Sequence, residues 1–160
     1  MEAIPHLDLA VTSLERSLAF YRGLLRPLGY VEESAIEGER GERVAYLNHV
    51  ASGGGTGLRE AQSDAHGVPY NRYGVGVHHV AFTATSRAMV DERAAWLLEQ
   101  GAEIESEPRD YDYSPGYYAV FFRDPDGIKL EIVHTPQDPD LAAAVGALAA
   151  RLAALETRLT

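Results

Sequence analysis

The sequence predicts an α+β fold in which one β-α-β-β-β unit occurs twice in tandem. His6 and His79 each begin a strand-like segment of similar plan. Each segment is followed, in the same order, by a capped amphipathic helix, a glycine and further strand-like sequence. A single matched pair of landmarks can arise by chance, but an ordered series of them indicates an internal duplication.

The first strand of each unit is predicted from alternating apolar residues. Over residues 4–11 the leucines and valine point one way, which leaves His6 and Asp8 on the other face. In the second unit Val80 and Phe82 take the packed positions and leave His79 on the free face. Period-two alternation is typical of a strand with one packed face and one available face.

The helices are predicted from their caps and their ends. Thr12 with Glu15 three residues later has the pattern of a capping box, and Ser86 is placed to cap the second helix. Glycines mark both ends, at Gly29 after a proline and at Gly101. Each helix carries an apolar stripe that predicts packing on its own sheet.

Strand-like sequence then continues in both units. Val44 to Leu47 corresponds to Ala119 to Phe122, and Glu131 lies on the last strand of the second unit. We predict one domain over residues 1–160: module 1 at about 4–61, a glycine-rich connection at 62–76, module 2 at about 77–135, and a C-terminal amphipathic helix at about 138–159. Leucines on that helix repeat at heptad spacing, which favours a homodimer.

Composition narrows the classes of function. A formal net charge of −10 argues against nucleic acid or an anionic membrane as partner. The absence of cysteine excludes disulfides, zinc–thiolate sites and a cysteine nucleophile. The start of the chain lacks the pattern of a signal peptide, so we expect a cytoplasmic protein with a small-molecule substrate.

Three motifs together carry a resemblance to a known family. They are the Phe20-Tyr21 pair in the first helix, the string Gly-Val-His-His-Val-Ala-Phe at residues 76–82, and the string Asp-Pro-Asp-Gly-Ile-Lys-Leu-Glu at residues 124–131. With His6, these make residues 4–135 resemble the vicinal oxygen chelate superfamily, which includes glyoxalases, epimerases, extradiol dioxygenases, fosfomycin-inactivating thiol transferases and bleomycin-resistance proteins. The resemblance implies eight strands forming a cup-shaped sheet around one divalent metal ion.

By position, the resemblance implies His6, His79 and Glu131 as metal ligands. The alternation of apolar residues independently puts all three on free faces. Two imidazoles and a carboxylate suit Fe, Mn, Ni or Zn. His78 shares the face of Val80, so we expect it to be structural. Members of the family complete the site either within one chain or across a dimer.

The residue on the last strand of module 1 should help to set the reaction. Spacing from His6 favours Glu60, which implies isomerase-type chemistry through a second carboxylate. Alternation favours Arg59, because Leu58 should face the core; an arginine at that place suits an anionic substrate. Both residues are therefore candidates for a catalytic role, and Arg59 also for substrate binding.

Tyrosines are concentrated in the second module, and Tyr111 and Tyr113 are the candidates for lining a substrate pocket. Tyr113 is also a candidate catalytic residue. Ring-cleaving dioxygenases carry a tyrosine where this chain has Phe121, and thiol transferases generally lack the long connection, so we expect a weak likeness to both. The sequence predicts a metal-dependent enzyme of lyase, isomerase or dioxygenase type; the alternative is a metal-free protein that binds a small molecule or antibiotic.

Overall fold

The computed structural model describes residues 4–136, which form two similar modules of one helix and four strands. The tandem α+β prediction is confirmed. Module 1 consists of β1 (His6–Val11), α1 (Leu14–Leu25), β2 (Tyr30–Glu37), β3 (Arg43–His49) and β4 (Gly55–Glu60). Module 2 consists of β5 (Val80–Thr83), α2 (Arg87–Glu99), β6 (Ile104–Asp110), β7 (Tyr118–Arg123) and β8 (Lys129–His134). The predicted C-terminal helix lies outside the described residues.

The two sheets have the same topology. Their strand orders are β1-β4-β3-β2 and β5-β8-β7-β6, and in each the first strand pairs in parallel with the last. The other neighbours are antiparallel. Over residues 4–136 the eight strands thus lie in two four-stranded sheets. Because the first and last strands are neighbours, free-face residues from the two ends of each module lie side by side.

The helix caps agree with the prediction in one module and differ in the other. Ser86 caps α2, where its hydroxyl accepts a hydrogen bond from the Met89 amide at 3.1 Å. The prediction for α1 was wrong: Ser13, not Thr12, is the N-cap residue. The Thr12 hydroxyl instead donates to the carboxylate of Asp126 in module 2, an acceptor that local sequence does not reveal.

The modules join through α1. The buried hydroxyl of Tyr21 donates to Asp124 Oδ2 at 2.9 Å, which connects the Phe-Tyr motif to the Asp-Pro-Asp-Gly turn. Gly23 lets the helices approach closely, because an added Cβ would lie 2.3 Å from a ring carbon of Trp96. These contacts hold the helix of module 1 against the turn and helix of module 2. Neither helix within residues 4–136 has the length and hydropathy to cross a bilayer.

Candidate functional site

His79 and Glu131 come together at the start of β5 and on the adjacent strand β8. Nε2 of His79 lies 3.3 Å from Oε2 of Glu131. The parallel register places Glu131 opposite Ala81, two residues after the histidine. The sheet therefore brings these two free-face residues together, as the alternation predicted.

Glu131 is a buried acid that retains one strong hydrogen bond. Only 1% of the residue surface is exposed, and the Tyr117 hydroxyl donates to Oε1 at 2.5 Å. Burial, together with the hydrogen bond to Glu131 and its charge, raises the pKa of Tyr117 far above its ordinary value. Tyr117 therefore stays protonated at neutral pH and keeps donating, which leaves Oε2 of the glutamate directed towards His79.

A pocket of about 520 Å³ opens above this pair, and aromatic rings form much of its wall. Tyr111 and Tyr113 stack with ring centroids 5.3 Å apart and planes only 13° apart. Tyr117 meets Tyr113 edge to face at 5.3 Å. We call this cavity the module 2 pocket; its lining includes His78, His79, Tyr111, Tyr113, Tyr117, Phe121 and Glu131.

Two cationic side chains also line the module 2 pocket. Lys129 lies over the ring of Phe121 at 4.5 Å, but its ammonium group is already 3.0 Å from the carboxylate of Glu105. Arg109 stacks over Tyr111 at 4.6 Å and makes no ion pair among the described residues. Arg109 is therefore the cation more available to an anionic ligand.

His78 does not have the structural role that alternation predicted. β5 begins only at Val80, so the strand pattern does not extend back to this residue. Nδ1 of His78 lies 2.8 Å from Nδ1 of His79, and the ring lines the same pocket. Burial, and then the neighbouring His79, lower the pKa of His78.

His6 lies apart from the other two predicted ligands. It lines a separate pocket of about 490 Å³ between β1 and β5, together with His49 and Thr83. Its ring is 5.9 Å from that of Tyr46, nearly perpendicular to it. Within residues 4–136 no three histidine or acidic side chains gather as a metal-binding group. One chain therefore brings together two of the three predicted ligands.

Neither Glu60 nor Arg59 is the module 1 counterpart of Glu131. In module 2, Glu131 on the last strand lies opposite Ala81 on the first. The matching pair in module 1 is Gly57 opposite Asp8. The longer glycine turn before β4 had obscured this register, which strand pairing reveals directly.

Both module 1 candidates are engaged in ion pairs. Glu60 shares the face of Leu58 and accepts two hydrogen bonds from Arg43, so the predicted carboxylate beside His6 is not this residue. Arg59 does lie on the free face, as alternation predicted. It is held there by the carboxylates of Asp8 and Glu42, which leaves little of its charge for a substrate anion.

Comparison with known proteins identifies the family. The family model described as the glyoxalase/bleomycin resistance protein/dioxygenase superfamily matches residues 3–132. The chain belongs to this superfamily. The match spans both modules and includes His6, His79 and Glu131.

Two curated relatives and one solved structure illustrate the similarity within the superfamily. The uncharacterized protein YqjT of Bacillus subtilis is 33% identical over 133 residues, covering 80% of this chain and 95% of the relative. The metallothiol transferase FosB of Staphylococcus epidermidis is 31% identical over 135 residues, covering 84% of each. The weak likeness expected to thiol transferases was therefore wrong. A superfamily domain from Frankia sp. EAN1pec has the same fold, with a TM-score of 0.70, 20% identity and coverage of 86% of this chain and 95% of that one.

Sequence reasoning did not single out three residues of this candidate site. Tyr117 lies within a cluster of tyrosines, and no local pattern shows which of them reaches Glu131. Lys129 carried a signal, since it lies two residues before Glu131 and therefore on the same face of β8. Arg109 lies on an edge strand whose register with β7 is irregular, so its direction is not predictable from alternation.

Proposed function

We propose that this protein is a divalent-metal-dependent enzyme that acts on a small, oxygen-rich, anionic substrate. The observation that carries the proposal is the pair of His79 Nε2 and Glu131 Oε2, 3.3 Å apart at the module 2 pocket. Imidazole nitrogen and carboxylate oxygen are the donor set that Fe, Mn, Ni and Zn share. The named function of the relative FosB, a metallothiol transferase, supports metal-assisted chemistry in this part of the superfamily.

The third ligand in this proposal is His6 of a second copy of the chain. His6 occupies the place in module 1 that His79 occupies in module 2, yet it lines a different pocket. A symmetric dimer that sets module 1 of one copy against module 2 of the other joins the two half-sites. Each dimer then has two equivalent metal sites.

In this proposal the residues of the module 2 pocket have different roles around the metal. His79 and Glu131 would hold the metal, which would supply Lewis acidity to chelating oxygens of the substrate. Tyr117 fixes the orientation of Glu131 by its hydrogen bond. Tyr111 and Tyr113 offer a stacked aromatic wall, and Arg109 offers charge to an anionic group of the substrate.

Metal analysis tests this proposal. Untagged full-length protein, purified without added metal, should contain close to one equivalent per chain, and His79→Ala should lose it during purification because the imidazole is one of its few protein donors. His66→Ala, a change to an exposed histidine of the connection, is the matched control and should retain the metal.

A contrary result is equally specific. Wild-type protein that takes up no Fe, Mn, Ni or Zn even when these are supplied overturns the enzyme proposal. Tight binding of an aromatic molecule by that metal-free protein would then favour the alternative, a binding protein that uses the tyrosine-lined pocket.

A further inference from the structure

The free faces of the two sheets carry matching rows of four residues across the strands. The row in module 1 is Asp8, Gly57, Tyr46 and Ser34. The row in module 2 is Ala81, Glu131, Phe121 and Ser106. Both rows follow the same strand order, first strand to last to third to second, and both end in serine. Each row has one acid, but module 1 carries it on the first strand and module 2 on the last.

Gly57 provides the room for the acid of module 1. An added Cβ at this glycine would lie 2.3 Å from Oδ1 of Asp8 and 2.7 Å from a ring carbon of Tyr46. No side chain fits there while Asp8 and Tyr46 keep their positions. The carboxylate of Asp8 therefore takes over part of the space that Glu131 fills in the other module.

Asp8, like Glu131, accepts a hydrogen bond from a tyrosine hydroxyl. Its Oδ2 accepts from the Tyr46 hydroxyl at 3.1 Å and from Arg59 Nε at 2.7 Å. Its Oδ1 is buried and has no hydrogen-bond partner among residues 4–136. In Glu131, Oε1 accepts a hydrogen bond from the Tyr117 hydroxyl, and Oε2 lies towards His79.

The ion pair with Arg59 engages only one oxygen of Asp8. Arg59 is shared between Asp8 and Glu42, and its Nε bonds Oδ2 of Asp8 alone. A buried carboxylate oxygen without a donor is unfavourable unless it meets a proton donor or a cation. Asp8 lies two residues after His6 on the same face of β1, and Tyr46 is close to both: its ring is 5.9 Å from that of His6 and its hydroxyl is 3.1 Å from Oδ2 of Asp8.

We propose that Asp8 is a metal ligand, the carboxylate that module 1 contributes beside His6. This inference rests on the proposed function and completes its site. The metal is then held by His79 and Glu131 of one copy and by His6 and Asp8 of the other. Each half-site is then a histidine paired with an acid. The acid lies on the first strand in module 1 and on the last strand in module 2.

Calorimetric titration of the full-length apoprotein with Mn(II) tests the assignment. Asp8→Asn keeps an acceptor for Arg59 but removes the charged ligand, so the dissociation constant should rise at least ~10-fold. Glu42→Gln, which removes the other acid on Arg59, is the matched control and should stay within about twofold of wild type, because Glu42 is outside the row. Circular dichroism verifies that each variant is folded.

A variant of the whole row gives the positive arm. Asp8→Ala combined with Gly57→Glu and Tyr46→Phe copies Ala81, Glu131 and Phe121 of module 2 into module 1. It should bind Mn(II) at least ~10-fold more tightly than Asp8→Ala with Tyr46→Phe, because the acid returns to the same row from the other strand.

The outcomes separate this inference from the proposed function. Wild-type affinity in Asp8→Asn, together with loss of binding in His79→Ala, overturns the role of Asp8 and leaves the metal enzyme intact. If the triple variant binds Mn(II) no more tightly than Asp8→Ala with Tyr46→Phe, the two acids do not occupy equivalent places in their rows. No binding by wild-type protein overturns the proposed function itself.

Discussion

At the scale of single residues, the hydroxyl of Tyr117 decides how Glu131 faces the pocket. Its oxygen is 2.5 Å from Oε1, and its raised pKa keeps it a proton donor throughout the neutral range. Such partners of a ligand commonly set metal affinity although they do not touch the metal. Replacing Tyr117 by phenylalanine removes only the hydroxyl oxygen, so the contribution of this hydrogen bond can be measured directly.

We expect Tyr117→Phe to weaken Mn(II) binding by about 10- to 100-fold while the fold is retained, because Glu131 loses its orienting donor. Calorimetric titration measures this change. Tyr111→Phe is the control: its hydroxyl bonds Ser106 rather than Glu131, so Mn(II) affinity should be unchanged. Equal effects of the two substitutions would show that pocket packing, not the bond to Glu131, controls binding.

Much of the site was predictable at this scale, because strand alternation reports which face a residue occupies. It placed His79, Glu131 and Asp8 on free faces. It did not find the counterpart of Glu131 in module 1, since that depends on the pairing of Gly57 with Asp8 and not on either local sequence. Contacts across strands are set by register, which a glycine-rich turn of irregular length hides.

At the scale of secondary-structure elements, α1 is joined to the β7–β8 turn by a buried hydrogen bond. Tyr21 donates to Asp124, whose other oxygen accepts from the backbone of Asp126 and Ile128 and so shapes the turn. Burial raises the pKa of Tyr21, and also that of Asp124. The turn that leads into the strand of Glu131 is thereby fixed by a helix of the other module.

We expect Tyr21→Phe to lower the free energy of unfolding by about 1–3 kcal/mol, because Asp124 loses a buried donor. Urea denaturation followed by circular dichroism measures it. Tyr73→Phe removes the hydroxyl of an exposed tyrosine and should change the stability by less than about 0.5 kcal/mol. Similar values for the two variants would contradict the assigned role of the Tyr21–Asp124 bond.

Glu105 on β6 binds the connection and the last strand together. Its carboxylate lies 2.7 Å from Arg72 and 3.0 Å from Lys129. Burial alone would raise the pKa of Glu105, but the hydrogen bonds from Lys129 and Arg72 outweigh it and the pKa is lowered. The stabilisation is therefore present above the ordinary glutamate pKa and is lost as pH falls through the lower value of the folded state.

We expect Glu105→Gln to be less stable than wild type at pH 7, and the difference should shrink steadily below about pH 4.5. Urea midpoints measured from pH 7 to pH 3 give the comparison. A difference that is constant across this range would mean that the charge of Glu105 contributes nothing to the stability of the fold.

At the scale of the whole molecule, the helix–turn contacts between modules leave His6 and His79 in separate pockets of one chain. The tandem architecture was predictable because the duplication repeats every landmark in order. The separation of the two histidines was not, since the packing of one module on the other depends on contacts such as Tyr21–Asp124 between residues far apart in sequence.

Complementation between inactive variants tests whether the proposed site is shared between copies. His6→Ala and His79→Ala should each bind no Mn(II) at the wild-type site. When the two are mixed under conditions of subunit exchange, half of the dimers are mixed and each recovers one of its two sites, so about one quarter of wild-type binding should return. Calorimetry on the mixture measures this fraction. Binding that stays absent after verified exchange would show that both histidines serve one chain.

The close approach of Gly57 to Asp8 also constrains how the chain can change over evolutionary time. A side chain at Gly57 has to displace both the Asp8 carboxylate and the ring of Tyr46, since an added Cβ lies 2.3 Å from the first and 2.7 Å from the second. Substitutions at position 57 are therefore coupled to positions 8 and 46 on the two neighbouring strands, and the three positions can vary freely only together.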